Sequence, residues 1–174
     1  LDGSNSDIRL RICNLVKHSG STVSVADTAA PDLLSFGPGS DYEITVNGVF
    51  YEFTDAELDD LLLTGTSGND EALLVGTPGY DAVTLDPQGG TLSGVGYKVT
   101  LSGMFKISVD GGGGDGEATL NDSSGDDSFL SIANQAWFSG PGFDNSVRDF
   151  PYINAYARGA GVDEARLEDS PVKD

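Results

Sequence analysis

Cysteine is almost absent from this chain. The single residue, Cys13, has no partner for an intrachain disulfide, so the fold has no covalent staple. It ends the alternating run Ile8-Arg9-Leu10-Arg11-Ile12-Cys13, a context that predicts a buried thiol on a strand. Basic residues are scarce too: 9 lysines and arginines stand against 28 aspartates and glutamates, for a formal charge of -19. Such a surface repels a polyanion, which excludes nucleic acid as a partner. No apolar run reaches the roughly 18 residues of a membrane helix, and no signal-peptide pattern is present. With no initiator methionine either, the expectation is a mature or excised piece of something larger, without membrane insertion.

Glycine, with 24 residues, and carboxylates are what the chain has in quantity. A length of 174 residues suits one structural unit. The acidity has two physical readings, solubility in a salty medium or a set of oxygen ligands for divalent cations.

Helical periodicity is nearly missing. Short β-branched or aromatic runs recur between glycine, asparagine, aspartate and serine clusters, at 8–15, 22–25, 42–46, 49–53, 61–64, 72–75, 82–85, 97–102, 104–109, 117–120, 128–132, 136–138, 152–157 and 164–167. This is an all-β pattern. Thr54-Asp55-Ala56-Glu57 has capping-box form ahead of Leu58, which fits either one helical turn or a polar loop. Asn47-Gly48 suits a type I′ hairpin or a tight solenoid corner, because both residues tolerate positive φ.

The chain also repeats itself. Ser93, Gly94, Gly96, Tyr97 and Ile107 match Ser139, Gly140, Gly142, Phe143 and Ile153, each 46 residues on. Asp115, Ala118, Leu120, Asp122 and Ser123 match Asp163, Ala165, Leu167, Asp169 and Ser170 at 47 or 48. Within "EATLNDS", Ala118 and Leu120 alternate with Thr119 and Asn121, the period-2 pattern of a half-buried strand. Self-similarity near 47 residues is the mark of a repeat architecture, with too few copies to close a propeller. The predicted fold is a right-handed parallel β-solenoid over residues 41–174, with residues 1–40 as an N-terminal cap or assembly segment.

Chemistry concentrates in a recurring Gly-x-Asp turn. Glycine permits the turn, and aspartate adds an oxygen ligand suited to calcium. The candidate metal ligands are Asp70, Asp81, Asp115, Asp126, Asp127 and Asp163, with plain turn formation as the alternative role. "GTSGNDEALL" and "GTPGYDAVTL" resemble the calcium-binding nonapeptide repeat of secreted bacterial toxins and proteases, although the double glycine is missing and Asp70 and Asp81 lie 11 apart.

Over about residues 37–174 the order "ITVNGVFYEF", "TGTSGNDEALL", "LSGVGYKVTLSG", "VDGGGGDGEATLNDSSGDDSF" and "GFDNSVRDFPYINAYARGAGVDEARLEDS" resembles repeats of very large secreted or surface proteins of planctomycete bacteria. It is also similar to the core protein of the sponge aggregation factor. That second resemblance implies an extracellular, glycosylated protein that assembles into a ring and supports calcium-dependent cell adhesion, with no catalytic residues. Asn121-Asp122-Ser123 is an N-glycosylation acceptor by pattern. A polysaccharide lyase on a β-helix needs a basic proton abstractor, and His18, Lys17, Lys98, Lys106 and Arg148 are scattered along the chain.

Among the late aromatics, Phe138, Phe143, Phe150 and Tyr152 read as solenoid core, while Trp137 suits either the core or an exposed docking face for glycan or protein. Arg9, Arg11 and Lys17 at one end face acidic "VDEARLEDSPVKD" at the other, a pairing of unlike ends that builds a ring or a filament. The expected function is an extracellular adhesion scaffold; the alternatives are a noncatalytic spacer of a large bacterial surface protein and, more distantly, a lyase.

Overall fold

A computed structural model of the chain describes residues 15–66 and 69–168. Cys13, Arg9, Arg11, Asp169 and Ser170 lie outside the described residues. Every regular element among those described is a β-strand, and stacked strands form a β-solenoid of about 4 turns.

The sequence repeat is a five-strand unit, a three-strand meander followed by two single strands. The first copy holds β3 (Leu33–Pro38), β4 (Tyr42–Val46), β5 (Val49–Phe53), β6 (Asp60–Thr64) and β7 (Glu71–Val75). The second holds β8 (Ala82–Asp86), β9 (Gly89–Gly94), β10 (Tyr97–Ser102), β11 (Lys106–Asp110) and β12 (Glu117–Asn121). The third holds β13 (Ser128–Ile132), β14 (Gln135–Gly140), β15 (Phe143–Arg148), β16 (Tyr152–Tyr156) and β17 (Glu164–Glu168). Ahead of them run β1 (Val16–Ser19) and β2 (Thr22–Ala26), both already paired into the stack.

Two sheets result, ordered β1-β2-β6-β10-β9-β8-β12-β16 and β17-β13-β14-β15-β11-β7-β3-β4-β5. Each repeat crosses between them three times. Because that number is odd, the meander lies in the nine-stranded sheet in the first and third repeats and in the eight-stranded sheet in the second. Hydrogen-bonded parallel neighbours are therefore not equivalent strands: Leu34 faces Ala72, Ala72 faces Ile107 and Ile107 faces Asn145, steps of 38, 35 and 38 residues. The 47-residue sequence period and the shorter ladder spacing are two consequences of one topology.

Alternation fills the space between the sheets. Val23, Leu61, Leu63, Val99 and Leu101 point inward from one sheet and meet Leu34, Phe36, Leu74, Ile107 and Val109 from the other, all buried. Phe138, Phe143 and Phe150 join this core, but Tyr152 is 65% exposed, because it begins the edge strand β16 where the sheet face is open. Trp137 lies between inward-facing Ala136 and Phe138 and is half-buried on the outer face, lining a shallow groove with Leu73, Val75, Gln135 and Arg148.

Local chemistry accounts for the turns. Asn47 (φ 50°) and Gly48 (φ 78°) close the β4–β5 hairpin in the left-handed region, as a type I′ turn requires. The capping-box segment makes a single hydrogen-bonded turn: the Thr54 hydroxyl and amide donate to Glu57 Oε2 at 2.8 and 3.0 Å, and Leu58 behind it is fully buried. These donations from Thr54 hold the Glu57 carboxyl below the usual range.

Leu61 and Leu62 are neighbours on β6 with opposite fates, the first fully buried and the second 39% exposed. Leu61→Ala is expected to lose about 2–5 kcal/mol of stability in urea unfolding, whereas Leu62→Ala changes it by less than about 1 kcal/mol. Equal losses at both positions would contradict the two-sheet core.

Candidate functional site

The aspartates singled out in the sequence all lie at corners: Asp81, Asp126 and Asp127 where one repeat passes to the next, and Asp70, Asp115 and Asp163 before the last strand of a repeat. In three such corners a hydroxyl residue stands four positions before an aspartate and turns back onto its carboxylate. Thr28 donates its amide and hydroxyl to Asp32 Oδ2 at 2.7 and 2.8 Å. Thr77 does the same to Asp81 Oδ2 at 2.6 and 2.9 Å, and Ser123 to Asp127 Oδ2 at 2.8 and 2.9 Å. The same hydroxyl accepts the amide two residues on, from Ala30, Gly79 and Gly125 respectively. Each corner is thus a closed loop around a buried carboxylate, and the repeat is chemical as well as geometric.

The remaining oxygens of Asp81 and Asp32 have other partners, whereas that of Asp127 accepts from Ser123 again. Tyr97 donates its phenol to Asp81 Oδ1 at 2.7 Å, and burial together with that carboxylate pushes the phenol far above its ordinary range. At the first corner the Asn47 side-chain amide donates to Asp32 Oδ1. Burial there works to raise the Asp32 carboxyl, but the donations from Asn47 and Thr28 outweigh it and hold the group below its usual value. Gly94 and Gly140, equivalent by the 46-residue match, leave room for these carboxylates. A Cβ on Gly94 would lie 2.1 Å from Asp81 Oδ1, and one on Gly140 would lie 1.7 Å from Asp127 Oδ1.

A second set of aspartates ties successive turns. Asp70 Oδ1 accepts the Asp32 amide at 3.0 Å, and Asp163 Oδ1 accepts the Asp127 amide at 3.1 Å. Asp126 Oδ1 accepts from Val162 at 2.8 Å and Asp122 Oδ2 from Gly159 at 2.6 Å. In the second repeat the matching position is Gly116, whose missing side chain lets the backbone approach Asp81 O. Asp115 beside it is exposed.

Of the six aspartates predicted as metal ligands, the structure therefore brings Asp81 and Asp127 into closed corners, uses Asp126 and Asp163 as ties, and leaves Asp115 in solvent. Asp70 alone among them enters an acidic cluster. It joins Asp27 and Asp32, with one ligand atom from each lying within 4.8 Å of the others and all three residues buried. Asp27 and Asp32 have no glycine two residues before them and were invisible to the Gly-x-Asp pattern. The hydroxyl four residues before an aspartate, in Thr28-x-x-x-Asp32, is the signal that marks Asp32.

The other candidates are dispersed. Asn121 is half-buried on β12, and its amide nitrogen donates to Asp86 Oδ1 at 2.9 Å. His18 sits on β1 with Nε2 2.9 Å from Glu57 O and its ring edge-on to Phe53. Lys106 pairs with Glu71 at 2.8 Å and Arg148 with Asp110 at 2.6 Å on one outer face, while Lys98 is exposed on the opposite sheet. Nothing gathers these bases around a common point.

No protein-family model, curated protein or solved structure matches the chain. Corner geometry and the ends of the stack carry the functional reading.

Tyr97→Phe removes the donor to a buried carboxylate oxygen while leaving the ring. It is expected to cost about 1–3 kcal/mol, measured by urea unfolding, and by the same amount in calcium and in chelator. A loss seen only in calcium would assign Asp81 to a cation instead of to the corner.

Proposed function

We propose that the chain is a noncatalytic extracellular scaffold that associates end to end, into a ring or filament, and supports calcium-dependent cell adhesion. The observation that carries this reading is the open last turn of the stack. Strand β17 is exposed throughout, and Leu167 stands 77% exposed. Between β16 and β17 a groove of about 410 Å³ is lined by Phe129, Phe138, Ile153, Ala155, Ala165 and Leu167, residues of core type with no further turn over them among the described residues. A repeat stack exposes such a face wherever its next unit is supplied by something else.

The charge pattern sets which partner suits it. Glu164 and Glu168 flank the groove on β17, and Arg166 is drawn into a pair with Glu168. A complementary end needs positive charge or a bridging cation, and Lys17 lies on the edge strand β1 at the far end of the eight-stranded sheet. Unlike ends that meet in this way propagate into closed rings or open filaments. Calcium fits as the cofactor because the available ligands are carboxylates, and glycans at Asn121 fit as covalent decoration on an outer face. No helix among the described residues is long and apolar enough to cross a membrane.

A spacer module of a large surface protein would show the same open turn, covered by the module that follows it. Sedimentation velocity at several concentrations separates the two. The scaffold reading expects large species in calcium that dissociate in chelator, and Leu167→Lys is expected to shift that equilibrium toward monomer by about tenfold or more. A monomer at every concentration in both buffers would leave the spacer reading standing.

A further inference from the structure

We propose that Asp27, Asp32 and Asp70 form a binding site for one hard divalent cation, calcium by its ligand chemistry, that ties the first two turns of the solenoid together. The inference deepens the calcium-dependent part of the reading above and rests on it only for the choice of cation.

The three carboxylates come from two corners: Asp27 and Asp32 between β2 and β3, and Asp70 between β6 and β7. The parallel pairs β2–β6 and β3–β7 hold those corners in register. Thr66 has the spacing to close its own corner on Asp70, as Thr28, Thr77 and Ser123 do on theirs. It turns instead to the neighbouring turn, donating its amide and hydroxyl to Asp27 at 2.7 and 2.6 Å. This exchange leaves Asp70 Oδ2 fully buried with no donor among the described residues, the one corner aspartate so abandoned.

The orphaned oxygen belongs to a carboxyl that faces two others. Asp27 and Asp32 supply those two carboxyls, each with an oxygen within 4.8 Å of the Asp70 ligand atom. Both Asp27 oxygens and Asp32 Oδ1 accept one donor each and keep a second lone pair for a ligand, while Asp32 Oδ2 accepts two from Thr28. No salt bridge among the described residues reaches the cluster; lysine and arginine pair at Glu71, Asp110 and Glu168. Three buried carboxylates without a cation are electrostatically incomplete. A calcium ion bonded at about 2.3–2.6 Å brings its oxygens no more than ~5 Å apart, and the observed ligand atoms lie within 4.8 Å of one another.

The third repeat offers an internal control. Asp122, Asp127 and Asp163 occupy the equivalent positions, but Asp163 is exposed and both oxygens of Asp127 are held by Ser123. That corner lacks an orphan and is not assigned an ion.

The test is calcium titration by isothermal calorimetry at pH 7 on the monomer fraction, beside thermal melts in calcium and in chelator. Expected are one ion per chain with a Kd below about 1 mM, and a Tm higher by about 5–10 °C at a hundredfold excess over Kd. Asp70→Asn is expected to fold in chelator and to lose the calcium-dependent rise, while Asp163→Asn keeps it. Absence of calcium uptake by the unaltered chain, or an undiminished rise in Asp70→Asn, overturns the site. If Asp70→Asn fails to fold, calorimetry on the unaltered chain and on Asp27→Asn decides in the same way. A monomer that takes up one ion without assembling supports the site and defeats the scaffold reading instead.

Discussion

A carboxylate turned back onto the amide and hydroxyl four residues before it is the interaction on which the stack depends. With no disulfide to pin a corner, each passage between repeats must still satisfy buried backbone groups within a few residues. Asp32, Asp81 and Asp127 do this on the inside of the corner. Their own carbonyls then accept the first amide of the parallel strand in the adjacent turn, from Glu71, Glu117 and Glu164 at 2.8 to 2.9 Å. One residue type thus closes the corner and starts the next ladder. The corner fixes register, and register decides which face of every following strand is buried.

The odd number of sheet crossings per repeat follows from placing that corner after two single strands. A repeat with an even number would keep its meanders in one sheet and widen that sheet only. Here the antiparallel insertions alternate between layers, so both sheets lengthen together. Gly94 and Gly140, equal in sequence context, sit in opposite sheets against equivalent aspartates.

Most strands were legible because alternation survives in them: Ala118 and Leu120, or Leu61 and Leu63, mark the inner face without help from tertiary context. Strands β1, β3, β9 and β15 were not. β9 reads Gly-Gly-Thr-Leu-Ser-Gly with Leu92 as its one buried apolar residue, since the backbones on either side approach too closely for side chains. β15 places Asn145 at an inward position, held by a donation from its amide to Asp86 O at 2.9 Å. A buried asparagine looks like loop in a sequence and like core only when its partner is in place. The ladder spacing was hidden for a related reason, because hydrogen-bonded neighbours are non-equivalent members of the repeat and share no motif.

The corner aspartates show how far residue pattern reaches toward chemistry. Gly-x-Asp found Asp70, Asp81 and Asp127 because glycine and aspartate both favour turns, but it gave them one role. Their roles differ through the hydroxyl upstream. Thr77 and Ser123 bend back within their own corners, while Thr66 reaches across to Asp27, and the choice follows from which turn lies beneath each corner. Electrostatics then separates the outcomes. A carboxylate supplied with donors from its own loop is stable as an anion in the interior, and one whose donor has gone to a neighbour shares that neighbour's negative charge. A cation at the first corner would act inside one chain, neutralising charge that folding has already buried. At the open β16–β17 end, under the proposed end-to-end association, it would act between chains and screen their acidic faces. The two effects draw on the same acidity but at opposite ends of the stack, so each answers to its own change in sequence.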